Sequence, residues 1–562
     1  MLLCLSRENK LITRGLDGLP EQPADVCIIG SGPAGITLAM ELAGQGLRVL
    51  LLESGGEKED KDLSELSASQ IVDSRVHDDT RITMARRLGG TSNLWGARCQ
   101  PLDPIDLTAR PWIQGTGWPF GLDEVAPWYA RACELLSCGE PVFRDEDWAG
   151  SFKDTRVDVS RLERFSNRPK MQLAHGPALR SNPLVDLRLH CTAVEAVLDP
   201  NGLVDHLVVC QPDGARHTVP VRRVVLAMGG LETTRFMLAM QRRQPALFGG
   251  PEGMLGRYYM AHVIGEVADV AFASGDTDRA FDFFLDGRGS YARRRFIPSD
   301  AEQRDRRLSN VCFWPVVPPV ADARHGSALL SAVFLAMSFG PVGRMLMAEA
   351  IRRYHAPEGT PRGPHLANVL RDLPSAVGGS ARFLYQRYLS QWRIPGFFIR
   401  NPNRTYGMSY HAEHLPNAES RVTLAPTEDR MGLPQLRVDL RFSMQDAQAV
   451  FRAHELLRDW LQANGMGTLH YRQPAGATPQ AILDTARHGT HQIGTVRMGS
   501  DHRTGIVNAD LRSFDVRNLY VASSAVFPSS GQANPTLTIV ALAARLAAHL
   551  GTAIQHRKAP SS

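Results

Sequence analysis

A glycine-rich turn near the start of the chain has the residue types and spacing that bind a dinucleotide. Gly30-Ser31-Gly32-Pro33-Ala34-Gly35 follows the apolar run 26–29 and precedes a stretch with helical periodicity. The first glycine permits a tight turn, the second lets a pyrophosphate approach the backbone, and the third lets the helix pack closely on the strand. Glu53 ends the next apolar run, where a carboxylate can accept hydrogen bonds from a ribose diol. We therefore expect a dinucleotide site in a βαβ unit.

Further motifs decide which dinucleotide binds. A second glycine-rich loop, GGTSNLWG, covers 89–96. Toward the other end, HGTHQIGT covers 488–495, NLYV covers 518–521 and NPTLT covers 534–538. These segments bear on whether the dinucleotide is FAD or NAD.

Together these motifs resemble the glucose–methanol–choline (GMC) oxidoreductase family, whose members use FAD. The resemblance runs over nearly the whole chain, and further matches are LAMGG at 226–230, Gly256-Arg257 with His262, and SRVTL at 420–424. It implies an α/β fold in which a Rossmann-like FAD-binding domain is joined to a discontinuous α+β substrate-binding domain. The implied FAD-binding segments are 20–110, 185–265 and 485–555, and 111–184 with 266–484 form the substrate-binding domain and lid.

The apolar patterning supplies the elements that hold these motifs in place. The continuous apolar runs around the first glycine-rich turn favour buried strands of a parallel sheet. Further strands are predicted at 185–189, 204–210 and 223–227, with others near 395–425. Helices are predicted near 341–355, near 445–463 and from about residue 535. Residues 270–395 match no family segment, and we expect them to shape the substrate pocket.

His491 and Asn534 fall on the two active-site positions of the family. The resemblance implies that His491 takes the hydroxyl proton of an alcohol while a hydride leaves the same carbon for flavin N5. An unperturbed imidazole has a pKa of about 6.5 and is available as a base near neutral pH. The Asn534 amide can donate a hydrogen bond to the substrate oxygen as negative charge develops on it. His488 is interpreted as structural, whereas a structural and a functional role both stay open for His262.

The resemblance also implies a set of FAD-binding positions spread over several motifs. They are Gly30, Ser31, Gly32, Pro33, Ala34, Gly35, Glu53, Gly89, Gly90, Ser92, Asn93, Val194, Gly229, Ser523, Pro535 and Thr536. Ser523 stands where many members have an aspartate, so a ribityl contact there would be weaker or would be made by a hydroxyl. Some sugar-oxidising members attach FAD through a histidine in the second glycine-rich loop, but residues 93–95 are Asn-Leu-Trp. We therefore expect FAD to be bound non-covalently.

Composition excludes several other classes of protein. The 562 residues are 43% hydrophobic and 22% charged, which is typical of a folded globular chain. The net charge of +5 comes without any block of five like charges, so we expect no nucleic-acid partner. The eight cysteines show no C-x-x-C and no zinc-site spacing, so no metal site is predicted. The apolar runs 1–5 and 328–339 are too short for a secretory signal or a bilayer span. We expect no transmembrane segment and a cytoplasmic protein.

The expected activity is oxidation of a CH–OH group of a small-molecule alcohol to a carbonyl, with O₂ or another electron acceptor. Asn534 and the run VASSAVFP at 521–528 most resemble the sugar-oxidising, pyranose oxidase-like members. This favours a secondary alcohol of a sugar or glycoside. A polyol, a sterol or a secondary-metabolite alcohol stays open as substrate. So does a redox-silent activity like that of the hydroxynitrile lyases of the family.

Overall fold

A six-stranded parallel sheet organises the dinucleotide-binding part of the protein. The computed structural model describes residues 13–20, 22–115, 117–150, 152–339, 356–357, 359–392, 394–396 and 398–558, so the helix predicted at 341–355 lies outside the described residues. In spatial order the strands are Thr13–Arg14, Val185–Leu189, Val49–Leu52, Val26–Ile29, Val224–Leu226 and Leu519–Val521. Val26–Ile29 and Val49–Leu52 are buried at every position, which explains why their sequences are continuously apolar. The predicted α/β class with a parallel sheet is confirmed.

Helices cover this sheet, and the longest one ends the fold. Helix Thr536–Lys558 packs against helices Pro33–Gly44 and Leu122–Leu136. Among the described helices, its stretch Thr536–His556 alone is long and apolar enough to cross a bilayer, although 67% of that window is buried inside the protein. This burial is typical of a core helix. The helix begins at Thr536, close to the predicted start near residue 535.

A four-stranded antiparallel sheet forms the centre of a second core. Its strands, in spatial order, are Val311–Val316, Thr405–Glu413, His262–Phe272 and Gly467–Tyr471. Helix Met444–Ala463 packs on it, and Ser443 with Asp446 caps the start of that helix. The helix predicted near 445–463 is thereby confirmed. Strand His262–Phe272 runs across the expected domain boundary between residues 265 and 266.

Smaller sheets and helices complete the two cores. Other strands of three or more residues are Ser69–Ile71, Leu162–Phe165, Thr192–Leu198, Val204–Cys210, Arg216–Pro220, Tyr291–Arg294, Arg421–Glu428 and Pro434–Asp439. Other helices of eight or more residues are Met171–Ser181, Gly229–Arg243, Ala328–Ser338, Gly363–Arg371, Leu373–Leu384 and Thr478–Thr485. The loops between the parallel and the antiparallel sheet enclose a large cavity.

Candidate active site

A cavity of about 880 Å³ lies between the two main sheets. The glycine-rich turn 30–34 and Glu53 line it from the parallel sheet. Ile264, Trp314 and His411 line it from the antiparallel sheet. Its volume falls within the range of roughly 300–1,000 Å³ that is usual for cofactor and ligand sites. The cavity therefore has one wall built from the predicted dinucleotide motif and another from the second core.

The two glycine-rich loops touch each other at this cavity. The backbone N–H of Gly89 donates to the carbonyl oxygen of Ser31 at 3.0 Å. Gly90 has a φ of +52°, and a Cβ placed on it would lie 2.8 Å from the Cα of Gly32. Helix Pro33–Gly44 begins beside this contact, and a helix N-terminus attracts phosphate. The cradle fits a dinucleotide diphosphate, and a side chain at Gly90 would close it.

Glu53 fixes the first turn and still faces the cavity. Its Oε2 accepts hydrogen bonds from the backbone N–H of Ser31 at 3.0 Å and from the Ser31 hydroxyl at 2.6 Å. Its Oε1 accepts from the backbone N–H of Gly55 at 2.8 Å. A carboxylate offers about four acceptor positions, so one stays available. Glu53 can therefore shape the turn and accept from a ribose hydroxyl at once.

Most of the predicted cofactor positions meet at the cavity. Those that line it are Gly30, Ser31, Gly32, Pro33, Ala34, Glu53, Gly90, Ser92, Gly229, Ser523, Pro535 and Thr536. The donor set of backbone amides, hydroxyls and one buried carboxylate fits the diphosphate and ribose of FAD.

Four predicted cofactor positions do not line the cavity. Gly35 packs on the first turn, where a Cβ would meet the carbonyl oxygen of Gly30. Gly89 contacts Ser31 as described, and the Asn93 amide donates to the Gly90 carbonyl oxygen at 2.8 Å. These three residues support the cavity-lining residues of the cradle without lining the cavity themselves.

Val194 also lies away from the cavity. It is buried in an apolar cluster with Leu63 and Cys210. Thr192 and Ala193, in the same strand, line the cavity instead. The side chain of Val194 packs in this cluster, and the FAD contact predicted at this position stays a prediction.

The predicted pair of active-site residues forms a direct contact. The Nδ2 of Asn534 lies 3.2 Å from the Nε2 of His491. The amide of Gln100 donates to the Oδ1 of Asn534 at 3.3 Å, which orients the Nδ2 toward the histidine. Because Nδ2 can only donate, His491 presents a lone pair at Nε2 and carries its proton at Nδ1.

His262 accepts a hydrogen bond from the Nδ1–H of His491. The Nδ1 atoms of His491 and His262 lie 2.8 Å apart, and His262 has no exposed surface. If His491 donates from Nδ1, His262 accepts at Nδ1 and holds its own proton at Nε2. His262 thus contacts the candidate base, and its functional role stays a prediction.

The imidazoles of the site are held in their neutral form. Burial, reinforced by His488, His262 and Arg98, holds the pKa of His491 well below its usual value. Burial and the surrounding imidazoles likewise hold the pKa of His262 well below its usual range. Burial lowers the pKa of His488 to about 4. His491 is therefore a free base at neutral pH.

His411 is a site residue that the sequence did not reveal. Its ring stacks on that of His262 with centroids 4.2 Å apart, and its Nδ1 donates to the carbonyl oxygen of Gln532 at 2.6 Å. Ring nitrogens of His262, His411 and His491 lie within 4.8 Å of one another, a grouping that could hold a transition metal. An ion bound through the His491 Nδ1 would displace the hydrogen bond to His262. Strand pairing brings His411 here, and only the alternation in the strand 405–413 hints at it.

Arg98 supplies a fixed positive charge at the cavity. It forms an ion pair with the buried Glu163, and its guanidinium lies 4.1 Å from the ring centre of Trp314. Its charge contributes to the low pKa of both His491 and His411. A cation in this position favours negative charge on a substrate oxygen.

Comparisons with known proteins relate the chain to FAD-binding oxidoreductases. A family model described as GMC oxidoreductase matches residues 416–543, and one described as FAD binding domain matches 23–71. The chain is 22% identical to a 2-methyl-1,2-propanediol dehydrogenase of Mycolicibacterium austroafricanum, over 93% of this chain and 94% of that protein. It is also 22% identical to a fructose dehydrogenase large subunit of Gluconobacter japonicus, over 93% and 97%. An FAD-dependent oxidoreductase from Chaetomium thermophilum shares the fold, with a TM-score of 0.51, 13% identity and coverage of 95% and 100%.

Proposed function

Because this chain belongs to the GMC oxidoreductase family and is an FAD-dependent enzyme that oxidises CH–OH groups, we propose that its substrate is a sugar or glycoside, oxidised at a secondary alcohol. The proposal concerns the substrate class, the roles of the site residues and the mode of FAD attachment. His491, Asn534 and the wall of the cavity that faces them support it.

His491 is the proposed base, and Asn534 the proposed hydrogen-bond donor to the substrate oxygen. A substrate hydroxyl that reaches both side chains donates its hydrogen to the His491 Nε2 and accepts a hydrogen bond from the Asn534 Nδ2. This replaces the direct contact of 3.2 Å between the two side chains. As the proton moves to His491, negative charge grows on the substrate oxygen, where Asn534 and Arg98 stabilise it. When bound, FAD accepts the hydride from the carbon that carries this oxygen.

The residues proposed to hold FAD are those of the glycine-rich cradle, with Glu53 at the ribose. The loop 90–96 contributes Gly90, Thr91, Ser92, Leu94, Trp95 and Gly96 to the cavity. None of these side chains is a histidine or a cysteine. This supports non-covalent attachment.

The polar wall of the cavity is the observation that carries the substrate class. Glu266, Ser409 and Thr490 line it with carboxylate and hydroxyl oxygens, beside Trp314. The hydroxyls of a sugar lose their hydrogen bonds to water in the cavity and need such polar partners there. A sterol or long-chain alcohol has one hydroxyl, which cannot pair with all of these polar groups. One relative is named a fructose dehydrogenase, and this name also supports a sugar as substrate.

Anaerobic reduction of the purified holoenzyme tests the proposal. We expect aldoses, ketoses and glycosides to bleach the flavin absorbance, and sterols and long-chain alcohols to leave it unchanged. Identification of a keto-sugar as product would complete the assignment. Bleaching only by sterols or aliphatic alcohols would overturn the sugar proposal, and cleavage of a cyanohydrin without bleaching would favour the lyase alternative. Admission of air or of an artificial acceptor then distinguishes O₂ from another electron carrier.

We also propose that the enzyme works in the cytoplasm. The seven cysteines in the described residues are all buried and unpaired. A reducing compartment keeps such thiols in this state. Fractionation of the native cells tests the location.

A further inference from the structure

Two consecutive helices expose apolar side chains that a water-facing helix usually lacks. We call Gly363–Arg371 and Leu373–Leu384 the outer helices. Half of the fourteen large apolar side chains exposed in the described part of the chain lie in these helices and the turn that follows. They are Leu366, Leu370, Leu373, Val377, Leu384, Tyr385 and Leu389. Single exposed leucines are ordinary on a protein surface, but a concentration of this kind marks an interaction site.

The first outer helix has its polar side chains inside and its leucines outside. Leu366 and Leu370, four residues apart on one face, are 50% and 76% exposed. His365 and Asn368 face the interior, where each lies 3.1 Å from the hydroxyl of Ser331. A helix of a protein fully surrounded by water shows the opposite distribution.

The second outer helix continues the same arrangement. Leu373 and Val377, again four residues apart, are 50% and 62% exposed, while the small Ala376 is buried. Both helices pack against helix Ala328–Ser338 through their other faces. The leucines therefore lie on the outer side of a supported pair of helices.

The apolar surface is accompanied by positive charge. Residues 362–389 contain four arginines and one acidic residue, Asp372, an excess of three charges in a chain whose total is +5. Asp372 accepts a hydrogen bond from the Ser375 backbone N–H at the start of the second outer helix. Arg371 and Arg382 are exposed and form no ion pair with any described residue. Their charge is thus available to an external partner.

We propose that the outer helices bind the surface of an anionic lipid membrane. Leucines enter the boundary between head groups and acyl chains, and arginines contact lipid phosphates, as in interfacial amphipathic helices. A second copy of the chain is a less suitable partner for the outer helices, because a symmetric dimer would place the same positive patches against each other. The enzyme would then work at the membrane surface without crossing the bilayer.

Sedimentation of the full-length holoenzyme with lipid vesicles tests the proposal. Vesicles of equal parts phosphatidylcholine and phosphatidylglycerol should carry the protein into the pellet, and vesicles of phosphatidylcholine alone should bind much less. Binding should weaken as salt is raised. Arg371→Gln and Arg382→Gln should each weaken binding roughly fivefold, because a basic residue near such a surface contributes about 1 kcal/mol.

A double variant, Leu370→Glu with Val377→Glu, should abolish sedimentation with the vesicles. The matched control is Leu173→Glu, which changes a leucine that is 65% exposed on another helix and should leave binding intact. FAD content and oxidation of a soluble alcohol should be unchanged in all of these variants, which shows that they fold.

Three outcomes would overturn the membrane proposal. One is failure of the wild type to bind anionic vesicles, and another is equal loss of binding in the Leu173→Glu control. The third is a lipid-free dimer, seen by light scattering, that the double variant splits while vesicles bind neither protein. In that case the outer helices form the interface between two copies of the chain.

Discussion

The Nδ1 atoms of His491 and His262 lie 2.8 Å apart, and His262 is fully buried. Only one proton fits between them, and the contact with Asn534 places it on His491. His262 thereby keeps the Nε2 of His491 in the form that accepts a proton. In this account His262 is a positioning residue that acts through His491.

Replacement of His262 should disturb that tautomer. His262→Ala leaves the Nδ1–H of His491 without an acceptor, and an unmade buried hydrogen bond costs about 1–3 kcal/mol. We expect flavin reduction to slow by roughly 5- to 150-fold, with His262→Gln recovering part of the rate. Neutral His262 acts by accepting the Nδ1–H of His491, and the amide oxygen introduced in His262→Gln can accept the same hydrogen bond. If His262→Gln is as slow as His262→Ala, His262 only supports packing.

Gly90→Val should empty the FAD site. The added side chain would begin 2.8 Å from the Gly32 Cα, on a backbone whose φ of +52° disfavours branched residues. We expect a folded protein with little or no flavin absorbance. Gly117→Val is the control, because a Cβ there meets nothing within 4 Å and its φ is not positive. Full flavin occupancy in Gly90→Val would refute the placement of the cradle.

Denaturation should release FAD from the wild-type protein. The cavity-lining part of the second glycine-rich loop has no histidine or cysteine to which flavin could be attached. After acid precipitation we expect yellow FAD in the supernatant, identified by its mass. Flavin retained in the washed pellet would contradict non-covalent binding.

Acid should destabilise the fold through its buried neutral histidines. Burial lowers the pKa of His454 to about 4, so below pH of about 6.5 the unfolded chain takes up a proton that the folded chain refuses. The free energy of unfolding should therefore fall with decreasing pH, by up to about 1.4 kcal/mol per pH unit for each such histidine. Urea titrations between pH 7 and pH 5 measure this slope, which should be shallower in His454→Gln. An equal slope in that variant would contradict the assignment.

Sequence alone could predict the parts of the site that local patterns specify. The turn 30–35, its flanking strand and helix, and Glu53 all lie within one βαβ unit, so their geometry follows from short-range spacing. His411 and Arg98 could not be found in this way. His411 reaches the site because strand Thr405–Glu413 pairs with His262–Phe272, far away in the chain. Arg98 is placed by a buried ion pair with Glu163. The alternation in strand 405–413 only hints at His411, and no local pattern indicates Arg98.

Anaerobic stopped-flow reduction of His491→Ala tests the proposed base most directly. The variant should keep its FAD, because His491 is outside the glycine-rich cradle, but substrate should bleach the flavin about two to four orders of magnitude more slowly than in the wild type. Flavin reduction in Asn534→Ala should be about 10²–10³-fold slower than in the wild type. In the double variant the rate should fall by less than the product of the two single effects, because the two groups act on one hydroxyl. If His491→Ala binds substrate and bleaches at the wild-type rate, His491 is not the base and the central claim fails.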